Sequence, residues 1–293
     1  MIKVYATTVN RTDCAIVTGK PFIMRFFTGL FKPTSPTPGT DFAGMIEAVG
    51  KDVTDFKVGD RVWGFDDNGL GSQAEYMTLA ADKAIITIPD HITYEQAAAS
   101  AEAAHYAYNF INKVNIKAGD KVMLNGATGA IGSAALQMLK NMGVTVTATC
   151  RGQHIELVKS LGTDRVINYE TEDFTKDSER YHFVFDAVGK STFSKCKPLL
   201  HPGGVYISSE LGPGAQNPLL ALITPLLGGK KVIFPIPLDI KRSLHFIKKL
   251  LEEGKFTPLI EKCYPLEQIA EAYQYVMRGQ KVGNVVIEMK YPE

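Results

Sequence analysis

Read for the spacing of its apolar positions, the chain changes character near residue 90. Before that point, apolar and polar residues alternate in short runs. These are Ile2-Lys3-Val4-Tyr5-Ala6, Met45-Ile46-Glu47-Ala48-Val49, Arg61-Val62-Trp63-Gly64-Phe65 after a Gly59-Asp60 turn, and Ala74 to Leu79. Such runs, broken by Gly, Pro and Asp, predict many short strands and a compact β-barrel-type domain. Beyond it, strand-type and helix-type stretches take turns. Thr93-Tyr94-Glu95-Gln96 ahead of Ala97-Ala98-Ala99 has the spacing of a helix-opening capping box, and a second helix is expected over 104–114. Apolar runs at 121–124, 144–149, 165–167, 183–186, 204–208 and 231–234 read as strands, with helices over 133–142 and 155–161. That alternation predicts an α/β, doubly wound parallel sheet over residues 91–255. Helices over 239–253 and 266–277 and a last strand at 284–288 close the chain. The stretch 256–293 is expected to rejoin the domain of residues 1–90.

One junction in that pattern carries chemistry. The strand at 121–124 runs directly into Asn125-Gly126-Ala127-Thr128-Gly129-Ala130-Ile131-Gly132, and a helix follows with Ile131, Ala135, Leu136 and Leu139 on one stripe. With the β-branched strand after Gly143, this is a βαβ unit whose first turn holds three glycines at three-residue spacing. The unpaired first amides of such a helix, at its positive dipole end, suit a dinucleotide pyrophosphate, and the glycines let it approach the backbone. A glycine turn with no ligand is the competing reading; the flanking strand, helix and strand weigh against it. Gly126, Ala127, Thr128, Gly129, Ala130, Ile131 and Gly132 are therefore the candidate cofactor cradle.

Arg151 follows Gly132 by nineteen residues, about where an acidic side chain would hold the ribose hydroxyls of NAD. A guanidinium cannot accept those hydroxyl protons, but it can pair with a 2′-phosphate in bidentate fashion. His154 stands close enough to add a donor. The expected cofactor is NADP(H), against the plainer reading of a solvated arginine at a strand end.

Composition narrows the class. The 293 residues are enough for two domains, and a net charge of +1 gives no electrostatic case for nucleic acid or an anionic membrane. Four scattered cysteines, Cys14, Cys150, Cys196 and Cys263, argue against a disulfide framework and for a reducing, cytoplasmic setting. The longest apolar run, Leu219 to Leu227, contains Pro225 and is too short to span a bilayer. No signal-peptide core is expected, because Lys3, Asn10, Arg11 and Asp13 interrupt it. Gly19 to Pro38 carries Phe22, Phe26, Phe27 and Phe31 and reads equally as the apolar wall of a substrate pocket or as a cluster packed under a loop.

These stretches together resemble the medium-chain dehydrogenase/reductase superfamily. The resemblance rests on Pro38-Gly39-Thr40-Asp41-Phe42-Ala43-Gly44, Gly59-Asp60-Arg61-Val62, the turn 125–132, Phe183 to Gly189, Tyr264-Pro265-Leu266 and Gly283 to Ile287. Within it the chain is similar to the zinc-free quinone oxidoreductase (zeta-crystallin-like) branch. The resemblance implies a GroES-like catalytic domain over 1–90 rejoined by 256–293, a Rossmann domain over 91–255, a cofactor cleft between them and a homodimer. It also implies a small apolar carbonyl or quinone as substrate, reduced by NADPH.

Relatives usually open with strands ahead of Ile2-Lys3-Val4, so an incomplete catalytic domain with a bare sheet edge beside residues 2–6 is expected. Zinc-dependent relatives place Cys, His and Cys where this chain has Asn10, Thr40 and Ala101, so no metal site is expected. The resemblance puts Asn10 and Thr12 on the pocket floor as neutral donors to a developing oxyanion; turn chemistry is their plainer reading. It puts His105 near the nicotinamide, as a donor or proton shuttle or as a packing residue, with Glu102 either orienting it or capping the helix. It puts Tyr169 near the adenosine phosphate, and Val188 and Gly189 beside the cofactor. Two other functions stay open: an NADPH-binding structural or regulatory protein with little catalysis, and an alcohol dehydrogenase that recruits zinc.

Overall fold

A computed structural model describes residues 1–20, 22, 25–31, 36–236 and 238–291. The chain starts with β1 (Ile2–Thr8), α1 (Arg11–Thr18), α2 (Arg25–Thr28), β2 (Asp41–Ile46), β3 (Arg61–Phe65), β4 (Tyr76–Met77), β5 (Ile85–Thr87), α3 (Tyr94–Ala99) and α4 (Glu102–Asn112). Next come β6 (Lys121–Asn125), α5 (Ala130–Asn141), β7 (Thr145–Cys150), α6 (Ile155–Ser160), β8 (Arg165–Asn168), β9 (Tyr181–Asp186), α7 (Phe193–Cys196), β10 (Leu200–Ser208), α8 (Gln216–Leu227) and β11 (Lys231–Ile233). It ends with α9 (Ile240–Glu252), β12 (Ile260–Pro265), α10 (Ile269–Met277) and β13 (Asn284–Glu288).

Two compact units result, one of residues 1–105 with 239–293 and the other of residues 106–238. These bounds differ from the expected 90/91 and 255/256. The helix α3 packs its buried alanines, Ala97 to Ala99, on β1 and β2, and α9 packs on β5, so both belong with the first sheet. In the first unit the strand order is β12-β13-β1-β2-β3-β5, with β4 also paired to β1. The core beneath includes Val4, Phe42, Val62, Ala272, Val285 and Ile287.

The bare edge expected beside residues 2–6 is not found. β1 pairs antiparallel with β13 through Ala6–Thr8, with β2 through Ile2–Ala6, and with β4 through Ile2 and Lys3. Its donors and acceptors are satisfied by chain from three places in the sequence, the pairing that alternation alone cannot reveal. The strand expected at 45–49 is displaced to 41–46. β2 is buried on both faces, so its run is continuous and does not alternate.

The second unit is a six-stranded, all-parallel sheet in the order β11-β10-β9-β6-β7-β8. Counted from β6, that is 6-5-4-1-2-3, the dinucleotide-binding doubly wound order, which reverses between β6 and β9. β6 lies at the centre, and its Val122, Met123 and Leu124 are wholly buried. All four cysteines are free thiols, with Cys150 and Cys196 buried. Among the described residues, no helix is long and apolar enough to cross a membrane.

Candidate functional site

In the second unit, the turn after β6 is held closed by its own glycines. Gly126 adopts φ +92° and Gly132 lies so close that a Cβ there would meet the Gly126 carbonyl oxygen at 2.1 Å. At Gly126 a Cβ would strike Val188 Cγ1 at 2.4 Å. Gly129 differs: φ is −69° and the nearest atom to its would-be Cβ is 3.6 Å away. Gly129 caps α5 without a side-chain acceptor, so the amides of Ala130, Ile131 and Gly132 lack helical partners. Unpaired amides at a helix N-terminus, with Ala130 and Ile131 half-exposed, fit a pyrophosphate.

Sequence reasoning passed over the residue that fixes this arrangement. Asp186, at the end of β9, is wholly buried and takes hydrogen bonds at Oδ1 from Asn125 Nδ2 (2.9 Å), Val188 N (3.3 Å) and Gly189 N (3.0 Å). Its Oδ2 accepts from Ser191 N (3.1 Å) and the Tyr206 hydroxyl (2.9 Å). Thr149 Oγ1 completes the tie, donating to Asn125 Oδ1 at 2.8 Å and accepting from Gly126 N at 3.0 Å. Val188 and Gly189 are thus placed beside the glycine turn by one carboxylate.

At the ends of β7 and β8 the structure gathers Arg151, His154 and Tyr169; the Tyr169 amide donates to the Cys150 carbonyl, and the His154 amide to that of Arg151. A fourth group was not foreseen. The Glu170 carboxylate lies 3.7 Å from Arg151 Nε and accepts from Gly152 N at 3.1 Å. It follows β8 by two residues, and only the strand's end point reveals that it faces Arg151.

In the first unit, Asn10 caps α1 in a complete capping box. Its Oδ1 accepts from Asp13 N (2.8 Å), and Asp13 Oδ2 accepts from Asn10 N (3.1 Å). Asn10 Nδ2 donates to Thr40 Oγ1 at 2.7 Å. Both ends of the amide are engaged and the residue is buried, so in this structure Asn10 positions α1. Thr12, in the first turn of α1, is half-exposed, and its hydroxyl lies 2.6 Å from Glu102 Oε1. Asp13 and Asp41 lie wholly buried beneath. Asp41 accepts from Thr8 N (2.7 Å), Thr8 Oγ1 and Thr7 Oγ1, yet burial pushes its carboxyl up to about 6. Burial first, and the charge of Asp41 second, raise Asp13 well above the carboxylate range.

His105 has no exposed surface. Its Nδ1 lies 2.5 Å from Ser243 Oγ, which itself donates to the Ile240 carbonyl, and its ring rests 5.4 Å from that of Phe65. Burial lowers its pKa to about 4, so the ring is neutral near pH 7. Burial and the Ser243 contact hold the ring in one place. Glu102 does not orient it, since its Oε1 lies 2.6 Å from the Thr12 hydroxyl instead. Of the phenylalanine stretch, Pro21, Ile23, Met24, residues 32–35 and the side chain of Phe27 lie outside the described residues. Phe22, Phe26 and Phe31 are exposed, with the first two edge to face at 5.7 Å.

Comparison with known proteins places these sites in a family. Residues 1–90 match the alcohol dehydrogenase GroES-like domain and residues 161–287 the zinc-binding dehydrogenase domain. A chloroplastic quinone oxidoreductase of Triphysaria versicolor is 30% identical, over 98% of this chain and 89% of its own length. The chain belongs to the medium-chain dehydrogenase/reductase superfamily, in its quinone oxidoreductase branch. An NADPH-dependent alkenal/one oxidoreductase of Arabidopsis thaliana is 28% identical over 98% of this chain and 71% of that protein. The quinone oxidoreductase structure from Coxiella burnetii superposes with a TM-score of 0.85 at 26% identity, covering 99% of this chain and 90% of that one.

The zinc named in one of those domain descriptions does not fit the residues here. At the three positions where zinc-dependent members of the superfamily carry Cys, His and Cys stand an amide already bonded to a hydroxyl, at Asn10 and Thr40, and the buried methyl group of Ala101. None is a thiolate or imidazole. Among the described residues, no three His, Cys, Asp or Glu side chains gather to hold a metal ion.

The two glycines predict opposite outcomes. Gly132→Ala should abolish cofactor binding and lower the melting temperature, because its methyl group displaces backbone. Gly129→Ala should leave stability within about 1 kcal/mol of wild type, its φ being ordinary for alanine. Equal losses in calorimetry would disprove the close-contact account.

His105 predicts a pH dependence of stability. Unfolded, it takes a proton below its ordinary 6.5; folded, it does so only near 4. Its contribution therefore grows as pH rises across that window, by at most about 3 kcal/mol. Asp41 runs oppositely, holding to about pH 6 in the fold a proton released near 3.8 when unfolded. The difference between wild type and His105→Gln in urea denaturation isolates the histidine and should widen from pH 4 to 6.5. A difference constant across that range would show the ring free to ionise.

Proposed function

We propose that the chain is an NADPH-dependent oxidoreductase that reduces quinones or α,β-unsaturated carbonyls without zinc. The observation carrying the substrate class is that Asn10, Thr40 and Ala101 stand where metal ligands would, beside the half-exposed hydroxyl of Thr12. Reducing a simple ketone concentrates charge on one oxygen, which a Lewis acid ordinarily stabilises by several kcal/mol. Hydride arriving at a conjugated position spreads that charge over several atoms, so hydrogen bonds suffice. Relatives of this branch are named for quinone and alkenal/one reduction, which agrees with that chemistry.

Bound at the glycine turn, the nicotinamide nucleotide supplies the hydride. The chain's part is to hold it: first-turn amides of α5 for the pyrophosphate, the Asp186-ordered loop with Val188 and Gly189 beside them, and Arg151, His154 and Tyr169 around the adenosine 2′-phosphate. Thr12 is assigned the substrate carbonyl. The four free thiols agree with a cytoplasmic setting.

Arg151 supports NADPH over NADH, with Glu170 as its resident counter-charge. Both side chains are substantially exposed, so a phosphate can displace the carboxylate. In titrations, wild type should bind NADPH more tightly than NADH by about one to two decades, near the value of a charged hydrogen bond. Arg151→Ala should erase the preference and Glu170→Gln should enlarge it. Equal wild-type affinities would sink the assignment, and a panel of quinones, enones and simple alcohols with each nucleotide tests the reaction itself.

A homodimer is proposed through α8. Leu219, Leu222, Ile223, Leu226 and Leu227 share one helical face with 39 to 86% of each side chain exposed. Together they present on the order of 600 Å², most of what one partner gives a standard interface. The open edge strand β11 packs against the same helix, so a second copy meets leucines and free backbone groups together. Sedimentation should give a dimer for wild type and a monomer for Leu222→Asp/Leu226→Asp; a monomeric wild type refutes it.

A further inference from the structure

Thr12 Oγ1 lies 2.6 Å from Glu102 Oε1, joining the first turn of α1 to the first turn of α4. A hydroxyl has one hydrogen and two lone pairs. If Glu102 is a carboxylate, it takes that hydrogen, and Thr12 turns only lone pairs toward anything else. If Glu102 is neutral, its own proton goes to Thr12 Oγ1 and the threonine hydrogen is free. The state of one carboxyl thus decides whether Thr12 can donate at all.

We propose that Glu102 is the positioning residue for Thr12 and the source of its proton: neutral Glu102 donates to Thr12 Oγ1, and Thr12 donates to the carbonyl oxygen of the substrate. This rests on the reductase reading above. Hydride brings two electrons to the conjugated carbon, the π electrons move to oxygen, and a new O–H bond forms there with the Thr12 proton. The Thr12 oxygen simultaneously takes the Glu102 proton. Glu102 is left as a carboxylate and recovers its proton from water, and the enol tautomerises after release.

The surroundings favour the neutral form of Glu102. Burial raises it well above the carboxylate range, and Asp13 on α1, Asp41 on β2 and Asp67 in the loop after β3 raise it further. Lys281, before β13, faces the same cluster as the opposing charge; burial lowers it, and it donates to the Gly283 carbonyl at 2.5 Å. Arg11 and Cys14 on α1 complete the charged and titratable groups facing this corner, together with Glu261 on β12. Four acidic groups, Asp13, Asp41, Asp67 and Glu261, against one lysine and one arginine favour a proton on Glu102.

Glu102→Gln separates the two roles, because an amide can still donate to Thr12 and orient it but has no proton to give. With a saturating enone and NADPH, Glu102→Gln should lower kcat by about 100-fold, within the range of general acids, with KM nearly unchanged. The fall of kcat toward high pH in the wild type should vanish in the variant. Thr12→Val should lower kcat and raise KM together. Infrared difference spectra of the two proteins without substrate give a readout apart from turnover: a protonated-carboxyl C=O band should be present in wild type and missing in Glu102→Gln. An active wild type whose Glu102→Gln variant keeps its kcat and pH profile, or the absence of that band, would overturn the inference and leave the reductase reading standing. A wild type that reduces neither enones nor quinones would overturn both.

Discussion

The second unit depends on one contact between backbone and backbone. Where α5 begins, Gly132 presses on the carbonyl of Gly126 at a distance that excludes even a methyl group. That closeness brings the first turn of the helix down onto the end of β6, where its amides lack helical partners. Everything proposed for the cofactor follows from it. Asp186 is the counterpart on the polar side, since five donors converge on a carboxylate with no access to water. Removing any one donor leaves buried charge undersatisfied, which costs more than the bond itself contributes. The loop after β9 is therefore as fixed as the turn it lies beside.

The first unit solves a different problem with similar means. Two carboxyl groups, Asp13 and Asp41, lie in its interior, and among the described residues no cation is bonded to either. Threonines at 7 and 8, the amide of residue 10 and the amide nitrogen of Gln73 supply the hydrogen bonds instead. Gln73 is itself held by the Tyr273 hydroxyl, so β1, α1, the loop before β4 and α10 meet in one polar network. Such a network specifies the arrangement more than it stabilises it, because each partner loses water on burial. It places Thr12 and Glu102 at the network's margin, where exposure begins.

The parts legible in the sequence were those written in local pattern. The capping box at Thr93 and Gln96 is present as read, and the strand-turn-helix at 121–141 needed only its spacing. β12 was missed because Ile260–Pro265 mixes charge into a half-exposed edge, and α8 because Pro225 and an all-apolar face conceal a helical period. The roles of single side chains depended on distant chain. Nothing near residue 10 announces that Thr40 will take its amide, nor near residue 105 that Ser243 will hold its ring. Glu102 stood one turn from His105 and seemed paired with it, yet its partner came from ninety residues away. Contacts of that separation are decided by packing, not by spacing.

The state of the thiols has a bearing on the substrates. Quinones and enones are electrophiles, and the species that adds to them is the thiolate. Burial pushes the thiols of Cys14, Cys150 and Cys196 up to about 11 and that of Cys263, beside Glu288, up to about 12. At neutral pH only about one thiol in ten thousand is then ionised. Two of the four are also shielded by the protein around them. For the proposed reductase, thiols raised this far are poor nucleophiles toward its own electrophilic substrates.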